Sequence, residues 1–101
     1  MNERRSYKIK AIFVNNLIIN EVIISSHYEQ NHLDHMSDDL ILKLVNELNG
    51  RKELPVEEKN GFSYFVTLIE YKEKPYKLIW LLEAETIYIG VINAHRTRKQ
   101  R

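Results

Sequence analysis

The chain has 101 residues, 44% of them apolar and 29% charged, and contains no cysteine. That length admits one domain with one core and excludes two; the composition excludes a disordered chain; the missing cysteines exclude disulfides, a cysteine nucleophile and thiolate metal sites, and fit the reducing cytoplasm expected here. The net charge of +1 is segregated: residues 1–10 carry four Lys/Arg against Glu3, residues 94–101 carry four Lys/Arg and no acid, and the stretch between them holds 7 Lys/Arg against 13 Asp/Glu. Basic ends flanking an acidic middle suit either solvated tails or a polyanion site built where the ends converge.

The opening MNERRSYKIK is charged, without the apolar run of a signal peptide, and no stretch approaches the ~18 apolar residues of a membrane helix, so no membrane partner is expected. Tyr7 to Val14 alternates apolar and lysine positions and reads as a strand with one wet face. Asn15-Asn16 then offers the positive φ of a tight turn, and residues 17–24 read as a second hairpin strand, with a helix as the alternative. At Ser26-His27-Tyr28-Glu29 the serine and glutamate have capping-box spacing, predicting a short helix over roughly 27–35. A second helix starts at Ser37, with Asp38 and Asp39 at the positive end of its dipole. Leu40, Ile41, Leu44, Val45 and Leu48 form its apolar stripe, and Asn49-Gly50 closes it.

Residues 51–61 read as a polar connection with Pro55 and an Asn60-Gly61 turn. Three strands follow: Phe62 to Tyr71, then Tyr76 to Leu82, then Thr86 to Asn93, joined by Lys72-Glu73-Lys74-Pro75 and Glu83-Ala84-Glu85. Residues 78–82 are apolar without alternation, as in a strand covered on both faces at the centre of a sheet. The expected architecture is α+β: an N-terminal strand or hairpin, two helices, then a three-stranded antiparallel meander with the helices packed on one sheet face.

The stretch Tyr76 to Arg98, YKLIWLLEAETIYIGVINAHRTR, resembles the C-terminal part of the RelE/ParE superfamily of small bacterial toxins. Tyr76-Lys77-Leu78-Ile79-Trp80 stands at the family's Tyr-Arg-Leu-Ile-Tyr-type strand, and His95-Arg96-Thr97-Arg98 at its basic terminal sequence. The histidine after Ser25-Ser26 is similar to one found in a group placed near the barnase, EndoU, colicin and RelE ribonucleases. The resemblance implies a single RelE-like domain over residues 1–101 and a toxin of a toxin–antitoxin system. Its expected activity is metal-independent endoribonuclease cleavage of mRNA or tRNA. The implied partners are RNA and a cognate antitoxin protein, with the ribosome as a further one. A ParE-like gyrase-inhibiting toxin, or a non-catalytic interaction or antitoxin-like module, are the alternatives. Lys77 stands where RNA-cleaving members often carry arginine, and no tyrosine follows Arg98, so a histidine-based variant of the chemistry is expected.

Such cleavage needs a base for the 2′-hydroxyl, cations for the charged phosphorane and an acid for the leaving 5′-oxygen. Histidine suits the proton-transfer roles. His27 and His95 are the candidates for these, with Lys77 and Arg96 as phosphate stabilisers; Arg98, Arg4, Arg5 and Lys99 are candidates for RNA binding. His32 and His35, three apart, invite a metal reading with Asp34 or His27, but no complete ligand set emerges. No metal or cofactor is therefore expected. Trp80 and Tyr64 read as core, whereas Tyr71 or Tyr88, if exposed, suit base stacking.

Overall fold

A computed structural model describes residues 4–24, 36–84 and 86–97. The elements are β1 (Arg5–Val14), β2 (Leu17–Ile24), α1 (Asp38–Asn46), β3 (Glu57–Lys59), β4 (Phe62–Tyr71), β5 (Lys74–Glu83) and β6 (Tyr88–Arg96). All six strands belong to one sheet in the order β1-β2-β6-β5-β4-β3. Every neighbouring pair is antiparallel except β2 and β6, which run parallel.

The α+β arrangement of two helices on a three-stranded meander is thereby overturned. Strands dominate, and among the described residues α1 is the single helix. Two strand pairings, one between distant segments and one across a tight turn, make the difference. Parallel pairing of Glu21–Ile24 with Tyr88–Val91 joins the N-terminal hairpin to the meander. The polar segment 57–59 folds back on 62–64 across Asn60-Gly61, adding a strand to its other side. The proposed helix over 27–35 lies outside the described residues.

Local chemistry explains the turns. Asn15 and Asn16 both take positive φ, at 52° and 65°, so the stretch 17–24 is a hairpin strand rather than a helix. Asn15 also fixes its neighbour: its Oδ1 accepts from Glu53 N at 2.7 Å and its Nδ2 donates to Glu53 O at 3.0 Å. In α1, Ser37 caps the first turn by accepting from Leu40 N at 3.1 Å. The helix ends at Asn46, earlier than the sequence suggested, and the following turns tighten into i→i−3 bonds until Gly50 takes φ +85°.

The core lies between α1 and one sheet face. Ile41, Leu44, Val45 and Leu48 are fully buried, against Val14, Ile19, Val22 and Ile24 from the hairpin and Phe65, Leu78, Trp80 and Ile89 from the meander. Trp80 stacks on Phe65, its cross-strand neighbour, with centroids 4.1 Å apart. Its indole N–H donates to the buried Thr67 hydroxyl at 2.9 Å. Burial along β5 alternates despite its unbroken apolar sequence: Tyr76, Leu78, Trp80 and Leu82 are buried, whereas Lys77, Ile79 and Leu81 are partly exposed. Only one face of this strand is fully covered. No helix among the described residues is long and apolar enough to cross a membrane.

Candidate functional site

The face of β5 and β6 turned away from α1, which no described element covers, carries two of the predicted catalytic residues side by side. Lys77 on β5 lies directly opposite His95 on β6, and Leu68 of β4 faces Lys77 from the other side. Directly opposed residues in an antiparallel pair have Cβ atoms about 4.5–5.5 Å apart, close enough for the ammonium and imidazole to engage one ligand group.

A register irregularity puts His95 there. Val91 pairs with Trp80 and Asn93 with Ile79, so Ile92 is an extra residue of β6 at the shift. Before it, Ile89 and Val91 point into the core; after it, Ala94 does. With strict alternation His95 would share the face of Val91, against the helix. The bulge turns Asn93 and His95 outward instead. His95 and Lys77 are both half-buried.

Around this pair the open face is largely apolar. Ile79 and Leu81 are half-buried, and Val66 and Leu68 are 43% and 53% exposed. Gly90 helps to shape this surface, because a Cβ there would lie 2.9 Å from Leu81 Cδ1; its absence lets Leu81 lie down over β6. Further along, Tyr88 donates its hydroxyl hydrogen to Glu83 Oε1 at 2.8 Å. Burial, then that bond, raise the Tyr88 phenol above its ordinary range, with Glu83 charge adding to the effect and Arg4 opposing it.

The other predicted residues go elsewhere. Arg96 pairs with Tyr76, whose side chain is buried on the helix-facing side, so consecutive His95 and Arg96 point to opposite faces. Arg4 is exposed ahead of β1. Arg5 is engaged within the fold: its Nε and Nη2 donate to the two oxygens of Asp38 at 2.6 and 2.9 Å. The Tyr7 hydroxyl donates to the same carboxylate. That hydrogen bond, then burial and the Asp38 charge, raise the Tyr7 phenol above its usual value, with Arg5 opposing. This cluster ties the first turn of α1 to the edge strand β1. His27, His32, His35, Arg98 and Lys99 lie outside the described residues. Trp80 is core, as expected, whereas Tyr64 is only half-buried and belongs to the open face.

Sequence reasoning did not single out Lys43, Lys72 and Lys74, which line a cleft with Asp39, Leu40, Tyr71 and Tyr76 between α1 and the β4–β5 hairpin. The signal available was a hairpin loop made of charged residues, Lys72-Glu73-Lys74, where turn formers are usual. Among the described residues no group of three or more His, Asp or Glu side chains is arranged to hold a metal.

Comparison with known proteins found no matching family, no matching curated protein and no matching solved structure.

Proposed function

We propose that this chain is a toxin of a toxin–antitoxin system that cleaves RNA without a metal, using the open face of β5 and β6. The observation that carries the reading is the direct opposition of His95 and Lys77 on the face turned away from α1. An imidazole can take a proton from the substrate or give one to it, while an ammonium beside it stabilises the doubly charged phosphorane. The 2′-hydroxyl loses its proton to a base and attacks the adjacent phosphorus. The P–O5′ bond then breaks, and an acid protonates the departing 5′-oxygen. His95 takes one of these two proton-transfer roles and His27 the other. Strand β2 supports that division: it runs parallel to β6 and ends at Ile24, level with Val91, heading toward the end of β6 that bears His95, three residues before His27. Lys77 is the cation at the reacting phosphate; Arg96, on the opposite face, binds RNA at a distance from the chemistry.

Cleavage of mRNA, tRNA and translating ribosomes in EDTA tests this. His95→Ala and His27→Ala are each expected to lower the rate by about 10²–10⁴-fold. Lys77→Ala should lower kcat, and Arg96→Ala should act mainly on KM. Cleavage that survives both His95→Ala and Lys77→Ala would sink the assignment. A second reading, a non-catalytic protein-binding module, takes support from exposed Val66 and Leu68 beside Lys77. It predicts that the wild-type chain leaves every one of these RNAs intact.

A further inference from the structure

We propose that the cleft between α1 and the β4–β5 hairpin binds a backbone phosphate of the RNA, on the side of the sheet opposite His95. The inference rests on the nuclease reading for the identity of the polyanion. It is an open cleft of about 290 Å³, lined by Lys43 of α1, Lys72 and Lys74 of the hairpin, and the rings of Tyr71 and Tyr76. That volume lies at the lower end of small-molecule pockets, suiting a phosphate with its ribose better than a whole cofactor. Asp39 is the one acid among the lining residues, and it is paired with Lys43 at 3.3 Å while itself largely exposed. Three ammonium groups against one carboxylate leave the cleft cationic. Arg96, opposite Tyr76 across β5 and β6, adds a further cation on the same side of the sheet.

The hairpin turn points to the same cleft. Three two-residue turns in this fold have positive φ at both central positions: Asn15-Asn16, Asn60-Gly61 and Lys72-Glu73. The first two use residues that tolerate the left-handed region. The third places a lysine and a glutamate there, at φ 51° and 67°, where long side chains are disfavoured. Neither side chain makes a hydrogen bond or ion pair with another described residue. Lys72 instead lays its ammonium 5.6 Å from the centroid of the Tyr71 ring at the cleft wall, where cation–π attraction can hold it ready for an anion. Local strain retained at a position that presents charge into a cleft is the pattern of a ligand clamp. Each Lys–phosphate contact releases counterions, so the site should be visible as salt dependence.

The decisive variant is Lys72→Asn with Glu73→Gly. It installs the turn residues that the backbone prefers and leaves the net charge unchanged. Binding is measured with a 2′-O-methyl RNA oligonucleotide, which lacks the nucleophile and cannot be cut. The double variant should melt at a higher temperature than wild type yet bind the oligonucleotide about tenfold more weakly, with the slope of log K against log salt reduced by about one. Lys43→Gln with Lys74→Gln should weaken binding further. A more stable double variant that binds as wild type does, or a wild-type chain that does not bind the oligonucleotide, overturns the proposal. Weakened binding in the variants while wild type leaves natural RNA uncut would uphold the cleft and defeat the nuclease reading. Cutting of natural RNA with binding indifferent to both sets of substitutions would do the reverse.

Discussion

The two faces of β5 are built from nearly the same kind of sequence and do different work. Toward α1, Leu78, Trp80 and Leu82 are buried among the other core side chains. Away from it, Lys77, Ile79 and Leu81 stand on a face that no described element covers. One strand can therefore hold the fold with one set of side chains and present a site with the set between them. The comparison teaches that substitutions on alternate residues should separate into those that cost stability and those that cost activity.

The largest effect is expected from the buried side. Trp80 has no exposed surface, stacks on Phe65 and donates to Thr67. Trp80→Ala removes this packing and leaves a large cavity, so a loss of about 3–5 kcal/mol is expected, a large fraction of the stability of a domain this small. Urea denaturation followed by circular dichroism measures it. A loss below about 1 kcal/mol would mean that the two faces of β5 do not differ as described.

How far the sequence discloses these faces depends on how local the determinant is. The Ser37 cap, the Asn15-Asn16 and Asn60-Gly61 turns and the apolar stripe of α1 are each written within a few residues, and each appears in the structure. Strand β3 is three exposed charged residues, Glu57-Glu58-Lys59, with no strand-like pattern; it is a strand because it meets β4. The parallel contact of β2 with β6 joins segments more than 60 residues apart and leaves no local mark. The site is subject to the same limit. His95 and Lys77 are visible as candidate residues, but their shared face depends on the shift at Ile92, which reverses the parity that alternation alone would assign. Arg96, next to His95 in the strand, falls on the other face by simple alternation, so the same shift that turns His95 outward turns Arg96 toward the helix side. The lysine cleft joins a helix to a hairpin about 30 residues later, beyond any spacing rule.

A smaller effect is expected where the helix meets the sheet edge. Arg5 and Asp38 are a partly exposed ion pair, with side chains 23% and 17% accessible, reinforced by Tyr7. Arg5→Ala leaves the carboxylate with weaker compensation, and a loss of about 1–2 kcal/mol is expected after discounting for solvent screening. The pH dependence has a defined sign. The raised Tyr7 phenol binds its proton more tightly in the folded chain than in the unfolded one, so its contribution is fully present below pH 10 and is lost as pH rises through the folded value. Tyr7→Phe should flatten the alkaline limb of a stability–pH curve. An unchanged limb would place the alkaline sensitivity elsewhere.

The smallest change in stability is expected at the open face, and there the near absence of an effect is the informative result. His95 and Lys77 are half-buried, and no hydrogen bond or ion pair joins either side chain to another described residue. Substituting either with alanine removes no core volume and orphans no buried partner, the two routes by which point changes become strongly destabilising. Each should therefore stay within about 0.5 kcal/mol of wild type while RNA cleavage falls by orders of magnitude. The double variant sharpens this further. If imidazole and ammonium act on one phosphate, the two losses should combine less than additively in activity, because removing either disables the same step. Full additivity in activity would mean that the two side chains serve separate steps. Losses of stability comparable to Trp80→Ala would mean that the open face, like its counterpart against α1, is there to hold the sheet together.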